Sequence, residues 1–234
     1  MYIDWTYIIL VLPAVLFASW AQMRVNSIFK KYSQTGTSRN VSGYDAARAI
    51  LDANGLRSVP IERVRGDLTD HYDPQSRVLR LSDSVFGSTS AAAVGVAAHE
   101  AGHAVQHAAG YRPLAIRNAI VPICNFGSKI AFPLVLIGIL FSSAGAFFVN
   151  LAYVGVACFG LVTLFQLVTL PTEFNASNRA MAGIQACGLL NAEESTAAKK
   201  VLWAAAMTYV AALAVSLMQL LRLLLLVGGN NRRR

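Results

Sequence analysis

The sequence predicts a mainly α, integral membrane protein, with three to four transmembrane helices attached to a small cytoplasmic α+β domain. Three observations carry that expectation. Of 234 residues, 55% are hydrophobic and only 14% are charged, an apolar surplus that ordinary soluble domains do not carry. Three long windows, Trp5 to Met23, Ile130 to Thr172 and Val201 to Leu221, contain no Asp, Glu, Lys or Arg. Between the first two lies a stretch of about 100 residues of mixed polarity, enough for one small domain.

A hydrocarbon core roughly 30 Å thick takes about 20 residues of helix, because backbone facing lipid must satisfy its own polar groups. The first and third windows fit one crossing each. The middle window is about twice as long and reads as a hairpin, with Asn150 near its midpoint and Gly145 nearby as turn material. The N-terminal window begins MYID, without the basic flank of a secretory signal peptide, so it is expected to remain as an anchor. Lys and Arg set the orientation. Arg24, Lys30, Lys31 and Arg39 follow the first span, and Arg112, Arg117 and Lys129 precede the second, which puts this stretch in the cytoplasm and the N-terminus outside. Arg179, Lys199 and Lys200 agree for the segment after the hairpin.

The expected plan is therefore an anchor over 1–23, a cytoplasmic domain over 24–129, a transmembrane hairpin over 130–170, a cytoplasmic segment over 171–200, a membrane helix over 201–228 and a basic tail over 229–234. The last helix is expected to cross, leaving Arg232 to Arg234 outside and Arg222 near its far end. The net charge of +8 belongs to cations flanking the spans, which meet anionic lipid head groups. The bilayer is thus an expected partner. No aromatic and basic interleaving marks a nucleic-acid surface. Cys124, Cys158 and Cys187 are isolated and odd in number, so no disulfide framework is expected.

Within the cytoplasmic stretch, Ser42 with Asp45 three residues on makes a capping-box start, and helical spacing runs to Gly55. Val59 to Val64 and Val78 to Leu81 alternate in strand fashion, with the intervening GDLTDHYDPQS read as turn. Gly87 to Ser90, GSTS, caps a long helix of small residues that runs to about Ala109.

That helix carries VAAHEAGHAVQHAAG, Val96 to Gly110. Residues four apart on a helix are neighbours on one face, so His99 and His103 can reach one ion. Glu100 is turned about 100 degrees away, poorly placed to share the ion but well placed beside a water activated by it. This is the logic of H-E-x-x-H: two imidazole ligands and a carboxylate that works as general base. His107 continues the series but is rotated about 80 degrees from His99 and lies two turns along, so it reads as a supporting residue. Gln106 reads as a polar packing contact. Gly102 costs about 1 kcal/mol against Ala in a helix interior, which close approach of another segment would repay. A third ligand must come from elsewhere, since a catalytic zinc keeps three protein ligands and one open position. The next acidic residue after Glu100 is Glu173, in LPTEFNASNRA. It lies on the same side of the membrane as the H-E-x-x-H helix. Pro171 is expected to open a new helix with Glu173 in its first turn, and Ser177, one turn later, to hydrogen-bond a ligand histidine.

At these residues the chain resembles a known family. SDSVFGSTSAAAVGVAAHEAGHAVQH, with upstream DHYDP and LRLS and downstream LPTEFNASNRA, is similar to the YugP-type membrane zinc metallopeptidases of bacteria. The resemblance covers nearly the whole chain. It implies a zincin-like metalloprotease domain of gluzincin type, with one catalytic zinc held by His99, His103 and Glu173, and Glu100 as the catalytic base. It also implies residence in the bacterial cytoplasmic membrane. The wider HtpX-type and CAAX-endopeptidase families place an Asp four residues after the corresponding Glu, where this chain has Ser177.

The expected function is hydrolysis of peptide bonds in peptide or protein substrates, membrane-associated chains included, by a zinc-activated water and a Glu general base at the cytoplasmic membrane face. An extended substrate is expected to add a strand against Arg77 to Ser82. His71, Tyr72 and Arg179 are the candidates for stabilising the oxyanion. The rival is a catalytically silent membrane adaptor or chaperone with a structural zinc. Glu100 argues against it, since a structural site has no use for an acid beside its ligands. A metal transporter is disfavoured because the spans contain no acidic residue. Oligomeric state and cleavage preference are not written in the sequence.

Overall fold

A computed structural model describes residues 4–231; the basic tail, Arg232 to Arg234, lies outside the described residues. The described residues are mostly helical, with one small three-stranded sheet. Among them, four helices are long and apolar enough to cross a membrane: Tyr7–Ser33, Arg112–Leu140, Ala146–Ala186 and Ala192–Gly229. The chain divides into two compact units.

The first unit takes its described residues from Met1–Trp20, Ile116–Leu170 and Tyr209–Arg234. It contains the N-terminal half of α1 (Leu12–Ser33, preceded by a π-helical turn, Tyr7–Val11), most of α5 (Arg112–Leu140), the first part of α6 (Ala146–Ala186) and the end of α7 (Ala192–Asn231). Val135, Ala152, Val156, Leu223 and Val227 form its buried cluster, while Phe126, Phe132, Leu140 and Phe147 stand exposed. Large apolar side chains turned outward on helices of this length are what a lipid-facing surface requires. The hairpin turns at Ser142–Ala144 and Gly145, whose φ of 142° is open to glycine and closed to side-chain-bearing residues. Asn150, expected near the bend, lies inside α6, because an asparagine can be carried in a helix whereas only a glycine can make that turn. Arg222, on α7, pairs with the carboxylate of Asp4 and lies 5.5 Å from the centre of the Tyr7 ring. An arginine in an apolar segment needs such a partner.

The second unit is Ala21–Ala115 with Pro171–Thr208. Helix α2 (Gly43–Ala53) starts at the expected capping box, Ser42 with Asp45, and buries Ala46, Ala47, Ile50 and Leu51. Strand β1 (Ile61–Val64) leads to β2 (His71–Asp73) and β3 (Val78–Ser82), then to the short α3 (Asp83–Phe86) and to α4 (Ala91–Ala108). The sheet order is β1-β3-β2, with β1 parallel to β3 and β2 antiparallel to it, Tyr72 facing Leu79. Leu79 and Leu81 enter a core shared with Ile50, Leu51, Val85, Val94, Ile184 and Leu202.

Four expectations are revised here. The stretch read wholly as turn contains β2. Three residues are too few to show alternation, and the strand is fixed from outside: Asp70 accepts from the Ser82 backbone N–H at 2.7 Å and its hydroxyl at 2.8 Å. The segment Arg77 to Ser82 is not a free edge, because β3 is paired on both sides; the outer edge available near the histidine helix is that of β2. Helix α6 runs unbroken through Pro171, which costs one backbone donor to the carbonyl four residues back but does not end the helix. Helix α7 begins at Ala192, well before the apolar window, where Asn191 and Glu194 cap each other's backbone at 2.9 Å.

Candidate metal centre

Helix α4 owes its place to small residues. Ser90 caps it through Ala93, and Ala91, Ala92, Ala93, Ala97, Ala98 and Ala101 are fully buried. A β-carbon on Gly102 would lie 2.6 Å from the carbonyl oxygen of Ala176 on α6, well inside van der Waals contact. Glycine is therefore what lets α6 approach, and Ala176 is three residues after Glu173. Gly102→Ala gains about 1 kcal/mol of helix propensity, but an obstructing backbone carbonyl cannot step aside as a side chain would. The variant is expected to lose about 1–3 kcal/mol net and to bind zinc more weakly, as α6 is pushed off. Thermal unfolding with and without zinc checks both; unchanged curves would remove Gly102 from this role.

His99, His103 and Glu173 each turn one ligand atom towards a common point, all within 4.8 Å of one another. His99 Nε2 is 3.2 Å and His103 Nε2 3.5 Å from Glu173 Oε2. Glu173 is 1% exposed, too buried to be a solvated carboxylate at a membrane edge. The remaining ring nitrogens are held. His103 Nδ1 donates to Gln106 Oε1 at 2.9 Å, and the Gln106 amide donates to the Thr172 carbonyl at 2.8 Å and to Asn175 Oδ1 at 2.9 Å. Ser177 Oγ lies 3.1 Å from His99 Nδ1, the contact expected of it. Both Nε2 atoms are thereby left to face inward. Gln106 does more than pack: fully buried, it aims His103 and ties α4 to α6. Its three-residue spacing from His103 was the available signal.

Glu100 stands outside the three-residue cluster, and its Oε2 accepts from the backbone N–H of Tyr72 at 2.9 Å. The hydroxyl of Tyr72 meets His107 Nδ1 at 2.9 Å, so β2 is pinned to α4 at two points seven residues apart. His107 is thus spent on Tyr72 and is not part of the metal cluster. Each of the three oxyanion candidates already has a hydrogen-bond partner. His71 Nδ1 donates to the Thr69 carbonyl at 2.9 Å, and Arg179 Nε donates to Asn175 Oδ1 at 2.8 Å. The Tyr72 phenol sits at His107, about 10 Å along the helix from Glu100 by helical rise.

Burial pulls the His103 imidazole towards its neutral form, but the hydrogen bond and charge of Glu173, with the charge of Glu100, outweigh it and leave the pKa above its ordinary value. Protons and a cation thus compete for the same nitrogen. Burial raises the Asp70 carboxyl, and the nearby charge of Glu100 adds to it. Two imidazole nitrogens and one carboxylate oxygen, pre-aimed, with His103 and Glu173 buried and His99 half-buried, are a donor set that suits Zn²⁺.

A family model described as "Putative neutral zinc metallopeptidase" matches residues 7–228. A relative from Bacillus subtilis (strain 168), named "Putative membrane protease YugP", is 48% identical over 216 residues, covering 92% of this chain and 94% of the relative. No solved structure matches. With the family model reaching almost from end to end and a relative matched over nearly all its length, the chain belongs to this zinc metallopeptidase family.

Proposed function

We propose that the protein is a membrane-embedded zinc endopeptidase that hydrolyses peptide bonds at the cytoplasmic face of the bacterial membrane. The observation that carries this reading is the convergence of His99, His103 and Glu173, with Glu100 beside them and tied to strand β2. His99, His103 and Glu173 would hold a zinc ion, which when bound would supply the Lewis acidity that polarises a peptide carbonyl and acidifies water. Glu100 takes the proton of the attacking water and returns it to the leaving amine. The Gln106 carbonyl oxygen, which can only accept, keeps the His103 proton on Nδ1, and Ser177 orients the His99 ring. The outer edge of β2, where the Tyr72 N–H already points at Glu100, is where an extended substrate backbone would align.

The four apolar helices support a multi-pass reading, and the basic residues near the water-facing segments support a cytoplasmic site. The Arg222–Asp4 pair joins the start of the first helix to the far part of α7, which supports α7 as a fourth span ending on the same face as the N-terminus. The full-length protein, purified in detergent, is expected to hold one zinc per chain by elemental analysis and to digest casein. A chelator should stop digestion and stoichiometric zinc restore it. Undiminished digestion by metal-free protein would overturn the reading.

A further inference from the structure

A cavity of about 400 Å³ opens on the second unit beside α4. Leu56, Val59 and Ala104 give it apolar walls, and Tyr72, Arg77 and His107 give it polar ones. Tyr72 connects it to the metal centre, since its backbone N–H holds Glu100 while its phenol reaches His107. A peptide lying along β2 past Glu100 would therefore bring a neighbouring residue, or its own end, to this cavity.

Arg77 is the group there without a structural task. Arg48 is paired with Asp52, Arg63 with Asp83 and Arg80 with both Glu62 and Asp73, whereas Arg77 makes no ion pair among the described residues. The nearby Asp73 is already occupied by the Gln75 backbone, the Ser76 hydroxyl and Arg80. Arg77 also sits at φ 55°, the left-handed region that glycine or asparagine occupies more easily. The left-handed backbone closes the turn between β2 and β3, but the exposed side chain at the cavity rim makes no ion pair among the described residues, so the guanidinium points to a ligand rather than to the fold. Burial raises the pKa of the Tyr72 phenol and outweighs the nearby charge of Arg77, which lowers it, so the phenol stays protonated. An arginine fork beside the hydrogen-bonded Tyr72–His107 pair, above apolar walls, matches one chemistry, a carboxylate on a short apolar stem.

We propose that this cavity is a substrate subsite selective for a carboxylate, with Arg77 as the selecting group. The carboxylate is that of an Asp or Glu side chain or of the peptide's C-terminus. The proposal rests on the peptidase reading of the metal centre.

The test uses full-length Glu100→Gln protein in detergent and dye-labelled alanine-based hexapeptides, in which one Glu is walked through the positions, each with a free or amidated C-terminus. Fluorescence anisotropy is expected to show at least about tenfold tighter binding for Glu at one position over Gln there, or for the free over the amidated end, the two arms separating the sources. Adding Arg77→Gln should erase the preference, and Arg77→Glu should turn it towards Lys. Arg77→Gly relieves the left-handed backbone, so it should keep or raise the unfolding temperature while losing selectivity. A structural role for Arg77 would give the opposite pattern. Binding that ignores charge, or no binding of any hexapeptide, overturns the subsite. Casein digestion by the wild type that persists alongside charge-blind binding leaves hydrolysis standing without the subsite. Selective binding by a protein that never digests casein leaves the subsite standing without hydrolysis.

Discussion

Glu100→Gln is expected to abolish casein digestion while leaving zinc content at one per chain. The carboxylate lies outside the His99, His103 and Glu173 cluster, so the amide, which has nearly the same shape, should not disturb the ion. What it removes is the capacity to take and return a proton, which is worth about 10²–10⁴-fold in rate. The amide oxygen can still accept from the Tyr72 N–H that Glu100 now holds at 2.9 Å, so strand β2 should stay in place and unfolding behaviour should be close to wild type. Elemental analysis, thermal unfolding and digestion, measured on one preparation, separate the outcomes. Wild-type digestion by this variant would reject Glu100 as the base; lost zinc would make it a ligand.

Glu173→Ala is expected to empty the site. Losing a group that only supports a ligand costs about 10–100-fold in metal affinity, and losing one of three ligands should cost more. The surroundings sharpen the prediction. Glu173 is 1% exposed, between two imidazoles, so no solvent carboxylate can readily replace it, and the truncation leaves His99 and His103 facing a void. Zinc titration against a competing chelator reads the affinity, and stoichiometric zinc held as tightly as in wild type would reject Glu173 as an essential ligand. Because removing Glu173 also removes the largest of the groups that hold the His103 pKa up, the His103 imidazole should titrate lower, which NMR of the metal-free protein would follow.

Helical arithmetic already separated His99 and His103 from Glu100 and His107, because spacing along one helix fixes relative direction whatever surrounds it. Glu173 could be singled out by scarcity, as the first acidic residue after Glu100. The helix that carries it runs through Pro171 instead of opening there, since a proline's local penalty says nothing about the packing that offsets it. Strand β2 was not legible at all. Its three residues have no pattern of their own, and they become a strand because Asp70 binds Ser82 and Tyr72 meets both Glu100 and His107.

The sequence by itself determined which helices are apolar enough to span a membrane, where α2 and α4 start, and which two histidines share a face. These follow from composition, caps and period, all local along the chain. Only the tertiary structure decided that Gln106 aims His103, that β2 rather than β3 is the outer strand beside Glu100, and that Arg77, at a cavity, makes no ion pair among the described residues. The first depends on the approach of α6 to α4 that Gly102 permits, and the others on strand pairing and ion pairs between separate segments, contacts that no spacing rule encodes.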